Sequence, residues 1–113
     1  PSFLTVSYGA PRAAAVPSEF ALSQNYPNPF NPSTTLEFQL SEPGMVKIDI
    51  FNMLGQKVTT LADGALPAGT HRRVWDTSAD GDMPGGVYHA MMTVTNPAGE
   101  TLFRDSRKLL LLR

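Results

Sequence analysis

The stretch Thr34-Thr35-Leu36-Glu37-Phe38-Gln39-Leu40-Ser41-Glu42-Pro43-Gly44-Met45-Val46-Lys47-Ile48-Asp49-Ile50-Phe51 alternates apolar and polar residues on both sides of a Pro-Gly break. Leu36, Phe38 and Leu40 share one side of the first segment, and Val46, Ile48 and Ile50 share one side of the second. A period of two is that of a half-buried β-strand. Ser41-Glu42-Pro43-Gly44 carries Pro and Gly where a type II turn favours them. Each inward aliphatic side chain is worth about 1.5–3 kcal/mol of burial, so this pair of segments fixes a core face.

The same rhythm extends in both directions. Upstream, Phe20 and Leu22 open a first strand. Downstream, strands are predicted over Gln56 to Leu61, Thr70 to Asp76, Val87 to Asn96 and Thr101 to Leu112. Asn52-Met53-Leu54-Gly55 and Asn96-Pro97-Ala98-Gly99 read as tight turns, and Asp63-Gly64 with Pro67-Ala68-Gly69 as a longer connection. In the strand over 70–76, Val74 and Trp75 are the only large apolar residues, and in the next, Tyr88, Ala90, Met92 and Val94 share a face. The pattern predicts an all-β fold, an immunoglobulin-like antiparallel β-sandwich of about seven strands with no helix.

Composition narrows the function classes. A chain of 113 residues supports one hydrophobic core, and its ten Pro and nine Gly exclude long helices. The net charge of −1 provides no field for a row of phosphates, so nucleic acid is not an expected partner. Without cysteine there is neither a disulfide framework nor a thiolate metal site. The longest apolar run, Leu109 to Leu112, falls far short of the roughly 18–20 residues of a membrane span. No transmembrane segment is expected. Ser7 to Glu19 mixes small residues with Pro and reads as a linker, while Phe3, Leu4 and Val6 belong either to an upstream domain or to a strand added to this one. Residues 1–19 are therefore assigned as linker or end of an upstream domain and 20–113 as the sandwich, with any export signal expected upstream.

Chemistry-bearing residues are few. Asp76-Thr77-Ser78-Ala79-Asp80-Gly81-Asp82 resembles the first half of a calcium loop, but Val87 stands where the closing bidentate Glu belongs, so an Asx-turn loop is expected and no cofactor. His71 and His89 lack a third ligand. No Gly-x-Ser-x-Gly elbow marks a nucleophile, and no catalytic residue is assigned. Trp75 is the sole candidate sugar platform. A lone Trp beside Val74 suits a core or rim position better, which leaves a carbohydrate-binding or adhesive module as the alternative function.

Three stretches in order carry a more specific signal. They are Asn25-Tyr26-Pro27-Asn28-Pro29-Phe30-Asn31-Pro32-Ser33-Thr34, then Val46 to Val58 with Asn52-Met53-Leu54-Gly55-Gln56 at its centre, then Trp75-Asp76 through Gly86-Val87-Tyr88. Together with Gly99 and the ending Arg107-Lys108-Leu109-Leu110-Leu111-Leu112-Arg113, they resemble the type A C-terminal sorting domain of type IX secretion, related to the immunoglobulin-like domain of flagellar hook-cap proteins. The resemblance implies a non-catalytic sorting and attachment module on a larger secreted protein. Its implied partners are an upstream passenger, the type IX machinery and a sortase-like protease that cuts upstream of the fold and exchanges the domain for a lipopolysaccharide anchor. Transit through the periplasm to the outer-membrane surface is implied with it. The linker from Ser7 to Glu19 is the expected place of the cut.

The tail and the proline segment each set an expectation. Because strand side chains alternate, Leu109 and Leu111 must oppose Leu110 and Leu112, and only one pair can face the core. The other is expected either to be covered, by the N-terminal segment or a partner domain, or to form an apolar edge of Lys108 to Arg113, open to strand addition by a transport receptor or to a dimer through that strand, and the second is favoured. Pro27, Pro29 and Pro32 forbid regular pairing, so residues 26–32 are expected to cross one end of the sandwich as a clamp, a surface read by the secretion machinery being the alternative. In it, Asn28 and Asn31 bond to neighbouring backbone groups that the prolines leave unpaired.

Overall fold

The computed structural model describes residues 17–79 and 83–112. Most of the linker, Phe3, Leu4 and Val6, the loop positions Asp80 to Asp82, and Arg113 lie outside the described residues. Among the described residues seven strands follow one another: β1 Ala21–Leu22, β2 Ser33–Leu40, β3 Gly44–Phe51, β4 Lys57–Leu66, β5 Gly69–Asp76, β6 Gly86–Thr95 and β7 Thr101–Leu111. A three-stranded sheet has the order β1-β2-β5 and a four-stranded sheet the order β4-β3-β6-β7. Each pairing among these strands is antiparallel, and together they form the expected immunoglobulin-like sandwich.

Alternation builds the core. On β2 every second residue is buried, and Leu36, Phe38 and Leu40 are fully inaccessible to solvent. On β3 and β6 the buried sets are Val46, Ile48 and Ile50, and Tyr88, Ala90, Met92 and Val94, joined to the first three in one cluster. These side chains are the apolar layer between the sheets. Val46 opposes Val94, Ile48 opposes Met92 and Ile50 opposes Ala90, so the two longest alternating segments lock one register.

Two local expectations are corrected. Residues 41–43 do not close a hairpin: they carry the chain from the three-stranded sheet to the four-stranded one. Gly44 has no positive φ and so is not the turn glycine of a type II turn. A β-carbon there would lie 2.7 Å from Val94 Cγ1, and close approach is what requires glycine. Likewise β4 does not stop at Leu61. Asp63 and Gly64 remain in the strand opposite Lys47 and Val46, because β3 offers a full-length partner that outweighs the local turn signal. The connection to β5 shrinks to Pro67-Ala68.

Candidate functional site

The C-terminal strand splits its leucines between two tasks. Leu109 and Leu111 are buried, opposite Tyr88 and Gly86, whereas Leu110 is half-buried opposite Val87 and Leu112 is 52% exposed. Lys108 lies on the same outer side as Leu110 and Leu112 and is paired with His89. The strand therefore offers a row of Lys108, Leu110 and Leu112 to the outside while two leucines anchor it.

Residues 24–32 run across this end of the sandwich and take up the edge of that strand. Phe30 N donates to Leu110 O and Leu112 N donates to Phe30 O, each at 2.9 Å, making a short parallel bridge. The Asn28 side-chain oxygen accepts from Leu110 N at 3.0 Å, and Gln24 Nε2 donates to Lys108 O at 2.8 Å. The amide and carbonyl of Leu110 and the amide of Leu112 are thus already satisfied. This overturns the expectation of an edge open to strand addition, or to a dimer by strand pairing, at these residues. What remains for a partner there is side chains rather than main chain.

The same segment is tied to its own sheet. Tyr26 exchanges two backbone hydrogen bonds of 3.0 Å with Thr35. Asn25, buried with Thr34, donates from Nδ2 to Thr34 Oγ1 at 3.0 Å and to Pro27 O at 3.1 Å, and Thr34 Oγ1 donates to Pro27 O at 2.8 Å. Pro32 O accepts from both Thr77 N and Thr77 Oγ1. Residues whose prolines cannot enter a ladder thereby find partners on both sheets. The Asn28 expectation is refined, since its partner is 82 positions away rather than a neighbour. Asn31 is exposed and its side chain makes no hydrogen bond among the described residues, so its expected role is corrected. Asn25 and Thr34 perform it instead, and only a side-chain pair nine residues apart could have disclosed them. Replacing Asn28 with Leu is expected to strip the Leu110 amide of its acceptor and destabilise the fold by about 1–3 kcal/mol. Chemical denaturation of the Asn28→Leu protein checks this, with an unchanged midpoint refuting it.

An aromatic junction lies under the clamp. Phe30 and Trp75 are each 2% exposed with ring centroids 5.6 Å apart, and Tyr88 meets Trp75 edge-on at 5.2 Å. Trp75 is core and presents no platform to a sugar, while its neighbour Val74 points outward, 61% exposed. Tyr88 also donates from its hydroxyl to Pro84 O at 2.6 Å, fixing the loop ahead of Gly86. Asp76 closes an Asx turn. Its Oδ1 accepts from Ser78 Oγ and Ser78 N, which hold its carboxyl below the usual carboxylate range. Among the described residues no three His, Asp or Glu side chains come together. His71 Nε2 donates to Pro67 O and its ring stacks on Phe38.

The two predicted glycine turns are built alike. Gly55 and Gly99 both have positive φ, of 80° and 88°. In each turn the leading asparagine, Asn52 or Asn96, bonds through its backbone and side chain to the residue four positions on, Gln56 or Glu100.

The family model described as "Secretion system C-terminal sorting domain" matches residues 24–102, from the clamp to the start of the last strand. The chain belongs to that family. No curated protein matches it. As a sorting domain it is a non-catalytic module of type IX secretion, associated with passage through the periplasm to the cell surface. No helix among the described residues is long and apolar enough to cross a membrane.

Proposed function

We propose that this sorting domain is read by the type IX machinery through the outer row at the end of its last strand, Lys108, Leu110 and Leu112. The observation that supports this reading is the division of labour within one strand. Leu109 and Leu111 hold it in the core while Leu112, a large apolar residue, is left 52% exposed on the same outer side as Lys108. A sortase-like protease then cuts within the linker from Ser7 to Glu19, whose small residues and prolines bear no strand pattern, releasing the upstream passenger and exchanging the domain for a lipopolysaccharide anchor. Any self-association through the tail uses these side chains, because the adjoining backbone is occupied.

Fusing residues 1–113 to the C-terminus of a fluorescent protein, in a host that possesses the machinery, tests the reading. The reporter is expected on the cell surface or in the medium, with its new C-terminus mapped by mass spectrometry to residues 7–19. Periplasmic retention of the intact fusion would overturn it.

A further inference from the structure

The hairpin tip Asn52–Gln56 displays two large apolar side chains that the turn does not need. Met53 is 73% exposed and Leu54 83% exposed. Their backbone is held firmly: Asn52 Oδ1 accepts from Leu54 N at 2.9 Å and Gln56 N at 3.0 Å, Asn52 N donates to Gln56 O, and Gly55 N donates to Asn52 O. The turn Asn96–Glu100 serves as an internal control. It repeats the bonds between the asparagine and the residue four positions on, and that from the glycine amide, at the other end of the sandwich, yet its tip is Pro97-Ala98. Turn geometry alone thus imposes no demand for Met and Leu at 53 and 54.

Topology sets this tip beside the tail. Phe51 at the end of β3 opposes His89, which opposes Lys108. A depression of about 160 Å³ lies between the tip and the beginning of β6, lined by Asn52, Met53, Leu54, Pro84, Gly86 and Val87. Gly86 and Val87 are the very residues paired with Leu111 and Leu110. Tip, depression and tail strand therefore form one continuous end surface. A turn whose backbone is already held has little main-chain freedom to lose when its apolar side chains bind, as suits an interface anchor.

We infer that Met53 and Leu54 form a second recognition knob, seated in an apolar pocket of the same protein partner that reads Lys108, Leu110 and Leu112. This rests on the proposed reading of the tail and adds a contact remote from it in sequence. The partner is the protein that reads the tail, because the tip, the depression and the tail strand adjoin one another through Gly86 and Val87.

The test uses the fluorescent fusion with Met53→Ser and Leu54→Ser together, beside the unmodified fusion. Both positions are exposed, so the purified double variant should keep its unfolding midpoint, and its export rate should fall at least tenfold. Failure of the unmodified fusion to leave the cell sinks the tail reading itself. Normal export of the double variant sinks only the knob. Two further results overturn the knob's assignment to a protein partner. One is binding of the unmodified domain to phosphatidylglycerol vesicles that the double variant loses. The other is concentration-dependent dimerisation in sedimentation that the double variant abolishes. Should the double variant fail to fold, Met53→Gln with Leu54→Gln, which keeps side-chain length, is measured in its place by the same criteria.

Discussion

Replacing Trp75 with alanine is expected to cost about 3–5 kcal/mol, the largest loss from any single truncation in this fold. Its indole is buried between Phe30 of the clamp and Tyr88 of the four-stranded sheet, while the residue itself belongs to the three-stranded sheet. One ring therefore joins three parts of the molecule. Domains of this size have about 5–15 kcal/mol of stability in all, so the Trp75→Ala protein should be substantially unfolded well below the wild-type midpoint. Urea denaturation followed by circular dichroism reads the change. A midpoint equal to wild type would mean that the sheets are joined elsewhere.

Removing Lys108 to Arg113 is expected to abolish export, but for two reasons at once. The deletion takes away the outer row and also Leu109 and Leu111, each fully buried and worth about 2–5 kcal/mol on truncation. It also leaves Phe30 and Asn28 without their strand partners. The truncated domain should show no cooperative unfolding transition, so its failure to export says nothing about recognition. Leu110→Ser with Leu112→Ser separates the effects. Leu112 is exposed and Leu110 half-buried, so their exchange should cost about 1–2 kcal/mol in total and leave the domain folded while export of the fused reporter collapses. Normal export of that folded variant would remove the outer row as the signal.

Legibility of the fold followed the strength of its periodicity. β2, β3 and β6 alternate without a break, and their inward faces, from Leu36 to Val94, could be read residue by residue. β4 could not, because Asp63 and Gly64 carry a turn signature that only the presence of β3 alongside overrules. Gly44 looked like a turn residue because sequence reveals a small side chain but not that Val94 fills the adjacent space.

The clamp was legible as an irregular crossing, since three prolines exclude a ladder, but not in its wiring. Asn25 bonding to Thr34, and Asn28 to Leu110, are side-chain choices that leave no periodic trace. The tail was half legible. Alternation forces two leucines inward, yet which pair, and whether the edge beside them was vacant, depended on residues from the opposite end of the domain.

The union of Phe30 with Leu110 and Leu112 has a temporal consequence. Its two halves are separated by about eighty positions along the polypeptide, so a chain emerging from the ribosome or threading a pore from its amino end cannot finish this domain until its final strand arrives. Until then the core lacks Leu109 and Leu111, and the intermediate is vulnerable to proteases. Attainment of the closed state accordingly certifies that the polypeptide ahead of it was made in full, an inspection for completeness carried out by the address label itself.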